Sequence, residues 1–311
     1  MSDSDFSANN SIEKYTNTFP DCHTISNLVY WASSVLQKYS IDSPRLDAEV
    51  ILSHLLGCNR VDLYAHPDKS VDNAIAINYK KDIQRRAQRI PVQYITNHAE
   101  FMSMDFYVDG RVLIPRPETE LLVEAVIKKS QILAKKHELV IVDIGVGSGN
   151  IAITLAVKTD NAKIFAIDIS PDALAVAKMN AQRHQVPDRI IFLQGDIYKP
   201  LERYGLKLNV DFVVSNPPYV ADDEFPVLQK EVSFEPYQAL VSGQGGLHMF
   251  KRVIADAITW LKPGGFIIFE VGEKQAQEVA RLLEDTGYFK EPELIKDYQY
   301  IYRIVAAQRR W

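Results

Sequence analysis

Five short runs of apolar, largely β-branched residues constrain the fold of this chain more than anything else in it. They cover 139–144, 163–168, 189–194, 210–215 and 265–271, and stretches with helical periodicity, such as Pro171 to Arg183 and Leu247 to Leu261, lie between them. A strand covered by helices on both faces reads as a continuous apolar run. Strands alternating with helices pair in parallel through right-handed crossovers. The expected fold class is therefore α/β, a Rossmann-like sheet with helices on both faces. Two further strands are expected within 287–307. In such sheets ligands bind beyond the carboxyl ends of the strands, so chemistry is expected just after each run.

Three successive strand ends carry acids. Leu139-Val140-Ile141-Val142-Asp143-Ile144 runs into Gly145-Val146-Gly147-Ser148-Gly149, and a helix begins near Asn150. Glycines permit a tight turn and a close backbone approach, and the helix start presents free N–H groups. A dinucleotide loop reads G-x-G-x-x-G, with its third glycine on the helix. Here Asn150 holds that place and the pattern is G-x-G-x-G, which disfavours NAD. Asp143 would repel a pyrophosphate but can hold an ammonium group. An adenosyl ligand with an amino acid end fits better. Asp168, ending the next strand, is placed to accept both ribose hydroxyls. After the third, Asp196 is placed to accept from an adenine amino group and Ile197 to pack against the ring. Any one of these acids is a reasonable helix cap; three in register favour a ligand site.

The fourth run, Val210 to Ser215, ends in Asn216-Pro217-Pro218-Tyr219. Two prolines fix φ and remove two backbone donors. Left pointing outward are a carboxamide, proline carbonyls and an aromatic face. Two acceptors can take the hydrogens of a planar NH2 group while the ring stacks on its plane. Asn-Pro and Pro-Pro are also ordinary turn signals; the position after a buried strand favours the functional reading.

The 311 residues, 47% apolar and 24% charged, suffice for two soluble domains. Residues 1–20, rich in Ser, Asp and Asn, are expected to be a disordered tail. Residues 21–90 show only helical patterns: one through Ile25 to Leu36, a second opened by Ser43-Pro44 and ended by Gly57, a third running to Arg89. On the third, Lys81, Arg85 and Arg89 share a face, read either as solvated or as a contact for an acidic partner. Residues 91–117 are expected to form a linking β-hairpin, with strands at 101–108 and 112–114 around an Asp109-Gly110 turn. Residues 118–311, opening with a helix over 118–136, carry the sheet. Two cysteines, Cys22 and Cys58, are too few for a disulfide scaffold and lack metal-ligand spacing. No metal site, no membrane partner and a cytoplasmic location are expected. A net charge of −5 weighs against direct nucleic-acid binding.

With these residues in place the chain resembles the class I S-adenosylmethionine-dependent methyltransferases, and among them the release-factor glutamine N5-methyltransferases of the HemK/PrmC family. The most specific pieces are Leu113-Ile114-Pro115-Arg116-Pro117-Glu118-Thr119-Glu120 and Asn216 to Tyr219, supported by Pro91 to Ile95, Glu100-Phe101, Phe234-Glu235-Pro236 and Pro263-Gly264-Gly265. The resemblance implies a seven-stranded methyltransferase sheet with an antiparallel last strand. It implies that the helical domain helps bind peptide-chain release factors, and that the substrate is the glutamine of their Gly-Gly-Gln loop. S-adenosyl-L-methionine would lie against Asp143, Ile144, Gly145, Val146, Gly147, Gly149, Asp168, Asp196, Ile197 and Asn216. Asn216, Pro217, Pro218 and Tyr219 would hold the glutamine, with Phe101 and Arg116 along the peptide channel; for Phe101 a core position is an equal reading. Asn216, Pro217 and Tyr219 would be catalytic. Departures from the family pattern are Val146 for a commoner Thr, Asn97-His98 where a glycine is usual, and Tyr298 to Tyr302, which lacks one. Two rival readings are a nucleic-acid amino-methyltransferase, acting at adenine N6 or cytosine N4, and a non-catalytic binding module.

Overall fold

The structure, a computed structural model, describes residues 19–133 and 138–311. The expected tail lies outside these residues except for Phe19 and Pro20. The chain divides into two compact units: one holds the residues up to Asn97 together with Lys230–Phe234, the other His98–Gln229 and Glu235–Trp311.

The first unit is helical: α1 (Ile25–Lys38), α2 (Pro44–Leu56), α3 (Arg60–Ala65), α4 (Asn73–Ala87) and α5 (Val92–Thr96). Its boundaries have local causes. The Thr24 hydroxyl accepts from the Asn27 amide at 3.3 Å and starts α1. Pro44 opens α2, and Gly57, at φ 62°, closes it in the left-handed conformation. Asp72 caps α4. Leu28, Leu36, Ile51, Leu52, Tyr79 and Ile83 fill the core between α1, α2 and α4.

The basic face on α4 does not extend to Arg89, although Lys81 and Arg85 are both exposed. Arg85 pairs with Asp82 one turn away. Arg89 lies past the helix end at φ 72°, bonds Glu231 at 3.1 Å, and donates to the Tyr39 and Ser40 carbonyls. Beside it, buried Arg86 bonds Asp47 at 2.7 Å and Glu231 at 3.0 Å. The acidic partner of Arg89 is thus a residue of the same chain.

The second unit begins with a hairpin, β1 (Ala99–Phe101) and β2 (Met104–Phe106). Its turn is Met102-Ser103, at φ 53° and 62°, not Asp109-Gly110. Two central residues with positive φ match the strand twist in a two-residue loop. Asp109 instead accepts from the Arg111 amide and guanidinium and from the Tyr107 hydroxyl, and 112–114 is not a strand. The stretch 91–117 therefore splits between the units: α5 falls in the first, the hairpin in the second.

The sheet follows with β3 (Leu139–Ile144), β4 (Ala162–Asp168), β5 (Ile190–Gln194), β6 (Val210–Ser215), β7 (Leu261–Glu270), β8 (Glu293–Lys296) and β9 (Tyr302–Gln308). The strand order is β5-β4-β3-β6-β7-β9-β8, with β9 antiparallel to both neighbours and the others parallel. Helices α6 (Thr119–Leu133), α7 (Asn150–Lys158), α8 (Pro171–Arg183), α9 (Tyr237–Leu240), α10 (His248–Trp260) and α11 (Ala276–Asp285) complete it. Two apolar layers cover the two faces of the sheet. The order reverses between β3, paired with β4, and β6, so a crevice opens beyond the ends of these strands.

The two irregular turns that lack glycine are built without one. Asn97 takes φ 54° at the end of α5. Between β8 and β9, Tyr300 takes φ 65°, while Asp297 accepts from the Gln299 and Ile301 amides and the Arg303 guanidinium. Among the described residues no helix is long and apolar enough to cross a membrane.

Candidate active site

A cavity of about 410 Å³ lies beyond β3, β4, β5 and β6, entirely within the second unit. Ile144, Gly145 and Gly147 line it from the first loop, Asp168 and Ser170 from the second, Gly195, Asp196 and Ile197 from the third, and Asn216, Pro217 and Pro218 from the fourth. Arg111, Met249 and Arg252 close it from outside these loops. The four strand ends marked in the sequence thus meet at one cavity.

The glycine loop is shaped by backbone geometry. Gly145, Gly147 and Gly149 all have positive φ, at 80°, 53° and 87°. At Gly149, the N-cap of α7, a Cβ would also lie 2.7 Å from Ile153 and 3.2 Å from Ala177. Its neighbour Val146 is 2% exposed inside the apolar layer, which explains why an apolar residue serves there. The Gly147 amide donates to the Asp168 carboxylate at 2.9 Å, and the Ser170 amide does the same. Burial pushes the Asp168 carboxyl up, while these amides oppose the shift. Asn180, fully buried on α8, donates to the Ser148 and Tyr107 carbonyls and accepts from the Tyr107 amide, tying the loop to the segment after the hairpin.

Asp143 stands behind the loop with no exposed surface. Burial raises its pKa to about 7; the Ala152 amide of α7 acts against this and the Asp168 charge adds to it. Beyond that nearby amide, which lies outside good hydrogen-bond geometry, neither carboxylate oxygen has a hydrogen-bond partner among the described residues. A buried carboxylate left without donors fits a cationic group held nearby, directly or through water.

Asp196 is engaged differently from expectation. Arg252 bonds both of its oxygens, at 2.8 and 2.7 Å, and Lys199 bonds Oδ2 at 3.0 Å. These cations hold its pKa below the usual carboxylate range, the Lys199 bond leading, against the opposing effect of burial. Three of about four lone-pair sites are taken, leaving one on Oδ1 for a ligand.

In the tetrapeptide, the Asn216 Nδ2 donates to the Thr119 hydroxyl oxygen at 3.2 Å. Thr119, 1% exposed at the start of α6, donates in turn to Glu270 Oε2 at 2.5 Å. Glu270 is 2% exposed at the end of β7, the strand beside β6. The Asn216 Oδ1 and the Pro217 carbonyl have no partner among the described residues. The Tyr219 carbonyl accepts from the Gln275 side chain at 2.9 Å, and the Tyr219 ring packs near Gly272. Burial drives the Tyr219 phenol far above its ordinary pKa, with Glu270 adding to the effect. Tyr219 does not line the cavity itself.

The two expected channel residues differ in placement. Phe101 is 1% exposed, edge-on to Phe106 at 6.1 Å, and belongs to the core; it is withdrawn as a substrate-facing residue. Arg116 bonds buried Glu235 at 2.5 Å, and Glu235 also accepts from the Ile114 amide. This pair pins the stretch before α6. Thr119, Glu270, Asn180, Arg252 and Glu235 are the site residues that sequence reasoning missed or left without a role. Only Thr119 and Glu235 stood inside motifs. Among the described residues no cluster of His, Cys, Asp or Glu is arranged to hold a metal ion.

Comparison with known proteins gives a consistent family. Residues 27–96 match the PrmC N-terminal domain and residues 117–249 the methyltransferase small domain. The release factor glutamine methyltransferase of Rhodopirellula baltica is 36% identical over 288 residues, 92% of this chain and 96% of that protein. That of Clostridium acetobutylicum is 38% identical over 287 residues, 92% and 98% of the two chains. That of Moorella thermoacetica is 40% identical over 270 residues, 87% and 93%. In fold, the hMettl16 catalytic domain, solved with a 3'UTR hairpin, superposes with a TM-score of 0.53 at 16% identity, covering 73% of this chain and 81% of that one.

Proposed function

Because the chain belongs to the release factor glutamine methyltransferase family, we propose that it transfers a methyl group from S-adenosylmethionine to the side-chain amide nitrogen of the Gly-Gly-Gln glutamine in peptide-chain release factors. The observation that carries this reading is the pair of open acceptors on two residues that line the cavity. The Asn216 carboxamide is held by its nitrogen, at Thr119, so its oxygen is left to accept. Pro217, the next residue and also part of the cavity lining, has a carbonyl without a partner among the described residues. Two acceptors match the two hydrogens of a carboxamide NH2.

A glutamine nitrogen is a weak nucleophile because its lone pair is delocalised into the carbonyl. Fixing both hydrogens aims that nitrogen, and alignment of this kind contributes several kcal/mol of barrier lowering. Tyr219, its carbonyl held by Gln275 and its ring packed near Gly272 behind the cavity wall, is assigned the stacking role on the amide plane, which requires its ring to reach the bound glutamine. When bound, S-adenosylmethionine supplies a methyl group on a sulfonium, an activated donor. The residues present fit it. Asp143 offers an unpaired carboxylate for the ammonium end, Asp168 a carboxylate for ribose hydroxyls, and Asp196 one open site for the adenine amino group. Ile197 and Ile144 supply apolar walls, and the Gly145–Gly149 loop permits close approach. We assign the helical unit to release-factor binding, and no nucleic-acid or membrane partner to the reaction.

The test is incubation with labelled cofactor and release factor, followed by mapping of the modified residue. Label on the Gly-Gly-Gln glutamine is expected. Label elsewhere in the factor, or preferential transfer to DNA or RNA, overturns the substrate. Asn216→Ala is expected to lower kcat roughly a hundred-fold while cofactor affinity, read by calorimetry, changes little. A variant with normal turnover removes Asn216 from the chemistry.

A further inference from the structure

The Asn216 carboxamide can face the substrate with its oxygen or, turned over, with its nitrogen. Only the first presentation accepts a glutamine hydrogen. Asn216 alone does not decide between them. What decides is the group bonded to the other end of its amide, and that group is a hydroxyl, which both donates and accepts. The Thr119 hydroxyl acts purely as an acceptor toward Asn216 only if its own proton is committed elsewhere. Glu270 Oε2, at 2.5 Å, takes that proton.

We propose that Thr119 and Glu270 are positioning residues for methyl transfer: the Glu270 carboxylate fixes the Thr119 hydroxyl as a donor to itself, which leaves the Thr119 oxygen to hold the Asn216 nitrogen and turns the Asn216 oxygen toward the substrate amide. This rests on the role given to Asn216 above. The geometry is that of a fixed relay. Thr119 is 1% and Glu270 2% exposed, so water does not compete for either bond. Thr119 is held on its own backbone, whose amide donates to the Arg116 carbonyl at 3.1 Å as α6 begins. Glu270 ends β7, in register with Phe269 opposite Ser215, the residue before Asn216.

The relay has a protonation state. Burial raises the Glu270 carboxyl to about 7; the Thr119 bond opposes this, the Glu118 charge adds to it, and Arg303 and Arg116 counter it. Tyr219, a further titratable group near Glu270, stays neutral because its own pKa is driven upward. Below pH of about 7, protonated Glu270 becomes a donor to Thr119. The Thr119 proton is then free to point at Asn216, and the carboxamide turns over. Turnover at saturating cofactor therefore falls with acidity, separately from any loss of cofactor affinity on protonation of Asp143.

The experiment uses the full chain with an intact release factor at saturating cofactor. Thr119→Val, which keeps the shape and removes the hydroxyl, is expected to lower kcat roughly ten- to hundred-fold with KM for the release factor and cofactor affinity little changed. Thr119→Ser restores kcat. In an Asn216→Ala background, followed by single-turnover label transfer, Thr119→Val adds no further loss, because its effect runs through Asn216. Wild-type kcat shows an acid limb near pH 7 that Glu270→Gln lacks. Normal kcat in Thr119→Val, or an equal loss in the Asn216→Ala background, overturns the relay. An acid limb that persists in Glu270→Gln removes Glu270 from it. A crippled Asn216→Ala beside an unaffected Thr119→Val sinks the relay alone, whereas an active Asn216→Ala sinks the underlying reading of the site.

Discussion

Asp143 and Glu270 are both buried carboxyls raised to about 7, yet they differ in what surrounds them. Glu270 has Thr119 as a close donor; Asp143 has only the Ala152 amide nearby, outside good hydrogen-bond geometry, among the described residues. An ionised, unpartnered Asp143 therefore costs stability in the ligand-free protein. Between the ordinary carboxylate range near 4 and about 7 the folded chain binds more protons at Asp143 than the unfolded chain. Its contribution to stability consequently falls as pH rises through that window. Asp143→Asn keeps the shape and removes the charge. It is expected to stabilise the ligand-free protein above pH 7 by on the order of 1–2 kcal/mol, an advantage that shrinks as pH drops toward 4. In the role proposed for Asp143, the same change is expected to weaken S-adenosylmethionine binding by removing the counter-charge of the ammonium end. Thermal unfolding across pH with calorimetric titration of the cofactor checks both, and an Asn variant less stable than wild type above pH 7 contradicts the account.

At the scale of elements, the sequence was most legible where one physical cause dominated. Strands β3, β4 and β6 are buried on both faces, and their apolar runs carry little else. Pro44, Gly57 and Pro171 mark helix ends by their own backbone restrictions. The hairpin was misplaced because Met102-Ser103 adopts positive φ without the Asn or Gly that announces such turns, whereas Asp109-Gly110 carries a turn signal but is used in a knot with Arg111. The β8–β9 turn has the same character. Tyr300 sits at φ 65° and is 82% exposed, so its ring gains little burial in exchange for the strain. A non-glycine residue in this region loses roughly 1–2 kcal/mol, and glycine loses about 0.5–1 kcal/mol in backbone entropy on folding. Tyr300→Gly is thus expected to stabilise the second unit by about 0.5 kcal/mol. A denaturant midpoint that moves down at unchanged slope would show that the Tyr300 ring contributes more than its exposure indicates.

At the scale of the whole chain, legibility fails with sequence separation. Asn216, Asp168 and the glycine loop each follow their own strand, so topology alone brings them together. Thr119 and Glu270 lie 151 residues apart, and Arg86 and Glu231 lie 145 apart. Neither pairing has a local pattern to betray it. The second shows that the helical unit is not made from one continuous stretch: Lys230–Phe234 belongs with it although 132 residues of the other unit, His98–Gln229, intervene. Glu231 joins two guanidinium groups, bonding Arg86 at 3.0 Å and Arg89 at 3.1 Å, and Arg86 is 7% exposed. Burial acts against the charged form of Glu231, and its own backbone amide together with Arg86 and Arg89 keeps its pKa below the usual range. Its contribution is therefore present at neutral pH and lost as acid protonates it. Glu231→Ala leaves Arg86 with the Asp47 carboxylate and the Ile90 carbonyl, and strips Arg89 of its carboxylate. The helical unit is expected to lose about 2 kcal/mol, while cofactor affinity in the other unit is unchanged. Hydrogen exchange resolved along the chain separates the two units. Faster exchange confined to α1, α2 and α4 in the variant supports the assignment, and equal acceleration in β3 to β6 would show that Glu231 belongs to the stability of the sheet instead.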